Sequence, residues 1–286
     1  MEPANMQRVQ ANGLNFQLAF WEGNGLNILG IHGLTANCRC FDSLAETVYP
    51  RHNLIAMDLR GRGLSDKPAA GYSIPHHCQD IKEVIAELGL SSVVLMGHSL
   101  GAAISLKFAS QNPHLVQGLI LIDGGGILSK ERMNKVMEGI KPAIERLGKT
   151  FSDFEEYVSP LKNASTLQPW NETLDSYFRY EIEHTQEGVK SRIRPENIQE
   201  ELYNLAEVDI QETYAKINSP VLILRATLGM LDKDDLFLPQ EATHKMLEMI
   251  PKAKVVDVPE TNHFTILFHP SQERDSAILS FLRDEL

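Results

Sequence analysis

The chain has few cysteines and no long apolar run, and each shortage excludes a class of protein. Its three cysteines, Cys38, Cys40 and Cys78, are an odd number without the spacing of a disulfide framework or a zinc finger. No apolar run approaches the ~18 residues that span a bilayer. Residues 1–13 lack the basic and apolar regions of a signal peptide. We therefore expect free, buried or half-buried thiols in a cytoplasmic protein that does not span a membrane.

Basic residues are also scarce. The chain has 27 Lys and Arg against 38 Asp and Glu, which gives a formal net charge of -11. A surface that negative repels phosphate backbones and anionic lipids, which argues against binding to nucleic acids or membrane surfaces. The 286 residues, 43% of them hydrophobic, suffice for a full globular core. The expected partner is a small-molecule substrate, and the sequence leaves a monomer and a homodimer open.

Short apolar runs alternate with helical patterns, which predicts a parallel sheet covered by helices. The runs are too short for helices and lack the polar alternation of half-exposed strands, so they fit strands buried on both faces. They lie at residues 27–33, 53–58, 92–97, 116–123, 220–226 and 253–259. Helices are predicted at residues 75–88, 100–111 and 271–286. Asn12 and Gly13 predict the turn of an opening hairpin, and the fold class is α/β with a mostly parallel central sheet.

Between residues 127 and 214 the pattern changes to helical segments rich in Glu and Lys, with no buried-strand run. Because this stretch separates two predicted strands, we interpret it as a helical insertion rather than a second domain. The α/β core then comprises residues 1–126 and 215–286, and the insertion comprises residues 127–214. Most of the aromatic residues in the insertion are expected to form a small core of its own.

The pentapeptide GHSLG at residues 97–101 joins a predicted buried strand to a predicted helix. In this strand–turn–helix context, G-x-S-x-G is the signature of a nucleophile elbow, in which the turn lifts the serine clear of the sheet. Side chains in place of the two glycines would collide with neighbouring backbone. The helix that follows directs its positive end at the site. Ser99 is therefore the predicted nucleophile, whereas His98 is expected to point away and to serve in packing.

A carbonyl attacked by Ser99 becomes an oxyanion, which needs two fixed N–H donors. The first predicted donor is the backbone amide of Leu100, directly after the nucleophile. The second is the amide of Leu34, in the loop after the run at 27–33, where Gly33 allows a sharp turn. His32 in the same loop is expected to support the loop rather than to act as a base.

Ser99 needs a general base, and the chain has ten histidines. His263 follows the last predicted strand, near the C-terminus. This position keeps the chain order of nucleophile, acid and histidine expected after such an elbow. His263 is therefore the predicted base.

The acid that orients the histidine has four candidates, Asp123 and the loop aspartates Asp232, Asp234 and Asp235, of which three are ranked. Asp123 ends the predicted strand at 116–123, and an aspartate at a strand end is held in place geometrically. Asp232 and Asp235 lie in the long loop after the next strand, which is the commoner location, but six or more residues beyond the strand end. We rank Asp123 first, Asp232 second and Asp235 third.

Five motifs resemble the α/β-hydrolase superfamily over nearly the whole chain: HGLTAN (32–37), DLRGRGLSDKP (58–68), GHSLG (97–101), LILIDGG (119–125) and TNHFTI (261–266). Similar members include carboxylesterases, lactonases, carbon–carbon bond hydrolases and amide hydrolases of the 2-(acetamidomethylene)succinate hydrolase type. In that last type the acid follows the sixth strand, which supports Asp123. The segment RATLGML (225–231) departs from the family's usual short Gly-x-x-Asp turn, and this puts the commoner acid position in doubt.

The resemblance implies further features. The insertion would form a cap that excludes water and selects the substrate. The motif at 58–68 resembles a structural loop, so Arg60 and Arg62 are expected to be structural. Arg192 and Arg194 of the insertion are expected to be solvated rather than to bind a substrate carboxylate.

Together these features predict a serine hydrolase that transfers an acyl group from a small-molecule ester, lactone or related carbonyl compound to water, without cofactor or metal. Two alternatives stay open. One is different chemistry on the same fold, namely a carbon–carbon bond or amide hydrolase, a perhydrolase or a lyase. The other is a ligand-binding protein with slow turnover.

Overall fold

The predicted apolar runs form strands because their side chains are buried on both sides of one sheet. The computed structural model describes residues 4–231 and 235–286. The strands within these residues are β1 (Asn5–Ala11), β2 (Leu14–Trp21), β3 (Asn27–Ile31), β4 (Asn53–Met57), β5 (Val93–His98), β6 (Val116–Ile122), β7 (Ile182–Thr185), β8 (Gly188–Ser191), β9 (Val221–Ala226) and β10 (Ala253–Val258).

Among the described residues an eight-stranded sheet runs in the order β1-β2-β4-β3-β5-β6-β9-β10. β2 is antiparallel to both β1 and β4, whereas the other neighbours pair in parallel. The carboxyl ends of β3, β5, β6 and β9 therefore meet at one edge, where a site forms in folds of this kind. The predicted α/β class with a mostly parallel sheet is confirmed.

Two apolar layers cover the sheet. In β3, Leu29 and Ile31 belong to one layer while Ile28 belongs to the other, as the alternation of strand side chains requires. β10 differs from the prediction of full burial, because it is an edge strand. Its Lys254 and Asp257 are exposed.

The helices flank this sheet or belong to the stretch between β6 and β9. In the described ranges they are α1 (Asp42–Val48), α2 (Ile74–Glu87), α3 (Leu100–Gln111), α4 (Lys130–Glu145), α5 (Phe154–Lys162), α6 (Glu172–Glu181), α7 (Pro195–Leu205), α8 (Gln211–Tyr214), α9 (Gln240–Met249), α10 (Thr265–Phe268) and α11 (Gln272–Asp284). α2, α3 and α11 lie where helices are predicted. Over the same ranges, no helix has the length and apolar character needed to cross a membrane.

Local turn chemistry explains two of the boundaries. Asn12 and Gly13 adopt φ values of 47° and 73°, which suit the tight turn of the β1–β2 hairpin. Gly89, with φ of 65°, ends α2 in the left-handed conformation. The three cysteines are buried and free, as predicted.

Residues 127–214 contribute α4 to α8 and no strand to the eight-stranded sheet, and all of them are described. The expectation of a purely helical segment is wrong, since β7 and β8 form an antiparallel hairpin there. Each strand has only four residues, too few to give a recognisable apolar run. Several insertion aromatics, among them Tyr157 and Phe178, join an apolar layer of the sheet rather than a separate core. The division of the chain at 126/127 and 214/215 stays a proposal.

Candidate active site

Ser99 lies in a sharp turn between β5 and α3. Its backbone has φ of 56° and ψ of −119°, a conformation that costs energy in any residue but glycine. The turn is possible because the two flanking glycines lack side chains. A Cβ on Gly97 would overlap the carbonyl oxygen of Gly101, and a Cβ on Gly101 would overlap that of Ile31. Both clashes are with backbone atoms that cannot rotate away, so this turn requires glycine at both positions.

The structure brings Ser99, His263 and Asp123 together in a hydrogen-bonded row. His263 Nε2 lies 3.0 Å from Ser99 Oγ, and His263 Nδ1 lies 2.8 Å from Asp123 Oδ2. The exposed fractions are 9% for Ser99, 4% for His263 and 1% for Asp123. Because a carboxylate only accepts hydrogen bonds, Nδ1 carries the hydrogen and Nε2 is left to accept the Ser99 proton.

Asp123 is held at the carboxyl end of β6 by β9. Its N–H donates to the carbonyl oxygen of Leu224 at 2.8 Å, and its Oδ1 accepts from the N–H of Ala226 at 3.1 Å. Its φ of 43° is unusual for a residue with a side chain. These contacts direct Oδ2 at His263, so the first-ranked acid lies within reach of the candidate base.

The other candidate acids lie elsewhere or cannot be placed. Asp235 uses both carboxylate oxygens within its own loop, where they accept from the N–H groups of Met230 and Leu231 at 2.7 and 2.6 Å. Asp232 lies outside the described residues. The long segment after β9 thus carries at least one aspartate that orders the loop itself.

Two residues that the sequence analysis did not assign to the site contact His263. His98 does not only pack: its Nε2 lies 2.9 Å from the carbonyl oxygen of His263, and the two rings are 4.6 Å apart. Burial lowers the pKa of His98 well below its ordinary value, so the ring is neutral and Nε2–H donates this bond. Phe237 stacks on the His263 ring at 3.8 Å. Neither contact has a signal in the sequence, because His98 ends β5 and Phe237 lies in the loop after β9, so both come from segments other than that of His263.

The loop after β3 is held by His32, as expected. Its Nε2 accepts from the N–H of Leu59 at 3.0 Å, and its Nδ1–H donates to the carbonyl oxygen of Gly33 at 2.8 Å. Burial lowers the pKa of His32 to about 3, so the ring keeps this neutral form. In a trans peptide the N–H points opposite to the carbonyl. His32 therefore sets the direction of the Leu34 N–H.

The N–H groups of Leu34 and Leu100 are free to bind an oxyanion. Leu100 is the first residue of α3, so its N–H has no acceptor within the helix. In the described part of the chain neither N–H donates to a protein atom. Both residues line the same cavity as Ser99 and His263. A Cβ on Gly33 would come within 3.1 Å of Ser99 Cβ, so glycine allows this close approach.

This active-site cavity has a volume of about 900 Å³, near the upper end of ligand pockets. Its walls come from the core and from the 127–214 segment, which contributes residues of α4, α6 and α7. Most of the lining is apolar. The arrangement as a whole is a serine hydrogen-bonded to a buried imidazole, with Leu34 and Leu100 lining the same large cavity.

Comparisons with known proteins identify the family. Residues 27–270 match the family model described as the alpha/beta hydrolase fold. The chain is 28% identical over 246 residues to a 2-(acetamidomethylene)succinate hydrolase of Mesorhizobium japonicum, which covers 85% of this chain and 83% of that protein. It is 26% identical over 259 residues to a 3-hydroxybutyrate-oligomer hydrolase of Cupriavidus necator, with 84% and 83% covered.

A crystal structure of an E-2-(acetamidomethylene)succinate hydrolase superposes with a TM-score of 0.84 at 24% identity, covering 98% of this chain and 99% of that one. The fold is therefore shared over nearly the full length of both chains. The family match covers most of the sequence, and both curated relatives named above are hydrolases. The chain belongs to the α/β-hydrolase fold family and is a hydrolase.

Proposed function

We propose that the chain is a serine hydrolase that cleaves a carboxylic ester, lactone or related carbonyl bond of a small molecule through an acyl-enzyme. The hydrogen-bonded row of Ser99, His263 and Asp123 carries this proposal. Leu34 and Leu100 support it, because both line the cavity that Ser99 lines and their N–H groups could donate to an oxyanion.

In the first step His263 Nε2 takes the proton of Ser99 Oγ while the oxygen bonds to the substrate carbonyl carbon. The carbonyl oxygen becomes an oxyanion that accepts hydrogen bonds from Leu34 and Leu100. As the tetrahedral intermediate collapses, the alcohol leaves with the proton from His263. The acyl group is then bonded to Ser99 Oγ, and Asp123 has stabilised the transient imidazolium without taking its proton.

In the second step water replaces the alcohol. His263 takes a proton from the water as its oxygen attacks the acyl carbon, and the same two amides bind the second oxyanion. The bond to Ser99 Oγ then breaks, and the proton held by His263 returns to the serine oxygen. The products are a carboxylic acid and the regenerated enzyme.

Amide hydrolysis is the second candidate. The relative from Mesorhizobium japonicum is named for a substrate with an acetamido group, and the similarity spans most of both chains. The same row of residues can attack an amide carbonyl, with an amine leaving in place of an alcohol.

Mass-spectrometric labelling with a fluorophosphonate tests the nucleophile. We expect one adduct per chain on Ser99, no adduct in Ser99→Ala, and an unchanged adduct in the control Ser110→Ala, whose hydroxyl lies on α3 and bonds to the carbonyl of Lys107. Ester and lactone hydrolysis should fall by about a millionfold in Ser99→Ala. Absence of an adduct on the folded protein would contradict the proposal.

The rival activities are separated by turnover assays on the same preparation. A single acyl burst without further turnover would favour the slow-turnover binding protein. Faster amide hydrolysis, peroxide-dependent halogenation or cyanohydrin cleavage than ester hydrolysis would assign the amidase, perhydrolase or lyase alternative in its place.

A further inference from the structure

The walls of the active-site cavity are apolar on several sides. On α4, Met133, Val136, Met137 and Ile140 follow the spacing i, i+3, i+4, i+7, which places them on one face, and all four line the cavity. A further wall consists of apolar residues from α7, α10 and the segments next to them. These are Leu202, Leu205, Val208, Ile210, Phe264, Leu267 and Phe268.

Charge is confined to exposed positions of the lining. The charged residues among the described lining residues are Lys130, Glu207 and Asp209, and all three are exposed. The lining includes no arginine in the described chain. Arginine is over-represented where proteins recognise carboxylates, and burial of a carboxylate without a partner is strongly unfavourable.

The two arginines of the insertion that could have bound a carboxylate do not line the cavity. Arg194 is exposed, and Arg192 donates through Nε to the carbonyl oxygen of Tyr180 at 3.1 Å. A dicarboxylate, such as the succinate in the name of the Mesorhizobium relative, would therefore meet one basic and two acidic side chains at the surface and apolar walls inside.

We propose that the cavity selects uncharged substrates with an extended apolar acyl chain and discriminates against acyl groups that end in a carboxylate. This inference rests on the proposed function. We assign the selectivity to the acyl group because it is bonded to Ser99 from the first step until its hydrolysis in the second. The alcohol leaves in the first step. The α4 face would contact the chain, so a bulkier residue there should shorten the preferred length.

Two pairs of nitrophenyl esters test this specificity. We expect kcat/KM for the octanoate to exceed that for the acetate by at least about tenfold, since each buried methylene adds to binding in the transition state. The hexanoate should exceed the adipate half-ester, which has the same chain length and a terminal carboxylate, by about tenfold or more. Met137→Trp should reduce octanoate hydrolysis and leave acetate hydrolysis within about twofold. Asn134→Trp, on the exposed side of α4 outside the cavity lining, should change neither.

Equal rates within each pair, or an adipate half-ester faster than the hexanoate, would overturn the specificity. Labelling of Ser99 and turnover of the acetate would then still stand, so the proposed function would survive. Failure of every ester together with absence of labelling would instead contradict the proposed function.

A separate observation concerns a buried ion pair behind the Leu34 loop. Arg62 is fully buried, and its Nε donates to the carbonyl oxygen of Leu34 at 3.0 Å. Its Nη2 donates to Glu201 Oε2 at 3.0 Å, and His77 Nε2 lies 2.7 Å from the same oxygen. Glu201 lies on α7, within the insertion.

Both peptide groups that flank Leu34 are thus held through their carbonyl oxygens. His32 holds the one before Leu34, and Arg62 holds the one after it. We infer that Arg62 and Glu201 are positioning residues for the Leu34 N–H, through which the insertion is coupled to oxyanion binding. This inference also rests on the proposed function.

The test compares Arg62→Lys and Glu201→Gln with Arg60→Lys as matched control. Arg60 is a buried arginine of the same loop that pairs with Asp80 and makes no contact with Leu34 among the described residues. The number of active sites is measured by fluorophosphonate labelling. Because kcat is then calculated per labelled serine, unfolded molecules do not lower it.

We expect kcat per labelled serine to fall about tenfold or more in both test variants, with KM within about twofold, because transition-state binding is lost and substrate binding is not. Arg60→Lys should leave kcat per labelled serine unchanged and at most lower the number of labelled sites. An unchanged kcat per site in Arg62→Lys, or an equal loss in Arg60→Lys, would show a purely structural role.

Discussion

Replacing Asp123 with asparagine is expected to lower kcat by about ten-thousandfold while the fold is retained. Asp123 Oδ1 accepts from the N–H of Ala226, and an asparagine oxygen can keep that bond. Its amide group would then face His263 Nδ1 and donate to it. The imidazole would have to carry its hydrogen on Nε2, where it can no longer take the proton of Ser99. Steady-state hydrolysis of a nitrophenyl ester, with circular dichroism to check folding, measures the effect.

The matched controls are two of the three aspartates in the loop after β9, Asp235 and Asp232. Asp235→Asn removes a carboxylate that binds the N–H groups of Met230 and Leu231 and should change kcat by no more than a few-fold. Asp232→Asn should have a similarly small effect. If one of these two variants shows the large loss and Asp123→Asn does not, the acid belongs to that loop and the proposed triad is wrong.

The second large effect is expected from Gly101→Ala. The added Cβ would overlap the Ile31 carbonyl oxygen, so the start of α3 must move away from the end of β3. Leu100 lies at the start of α3 and Leu34 lies in the loop after β3. The distance between their amides would therefore increase. We expect a loss of about 3 kcal/mol in the free energy of unfolding and a fall of about a hundredfold or more in kcat per labelled serine. Denaturant unfolding and active-site titration measure the two effects.

Gly118→Ala is the matched control for this substitution. The nearest atom to a Cβ on Gly118 is a terminal methyl carbon of Leu286 at 2.9 Å, and this exposed side chain can rotate. Gly118→Ala should therefore cost little stability and no activity per site. A Gly101→Ala variant with the unfolding free energy and kcat of the original chain would refute the packing argument.

The parts of the site that could be predicted from the sequence are those that local sequence patterns and their order along the chain indicate. A strand that is buried on both faces must be apolar throughout, so β5 and β6 are visible as continuous runs. A turn as tight as that at Ser99 needs glycine on both sides, so GHSLG is recognisable once a buried strand before it and a helix after it are predicted. His263 could be selected from ten histidines because its place after the last strand agrees with the chain order of such sites. The same order left the acid open, since it allows an aspartate after either of two strands.

The sequence by itself thus predicted the α/β class, the turn at Ser99 and the candidate base, because these follow from local patterns and from the order of those patterns along the chain. Only the tertiary structure decided which aspartate reaches His263, since that depends on the hydrogen bonds between Asp123 and β9. It also decided that His98 and Phe237 contact the base and that Arg62 joins the insertion to the Leu34 loop. These contacts join residues that are far apart in sequence, and no short-range pattern encodes them. The apolar character of the cavity could not be predicted from the sequence either. An apolar helix face has the same pattern whether it packs on protein or lines a cavity for substrate.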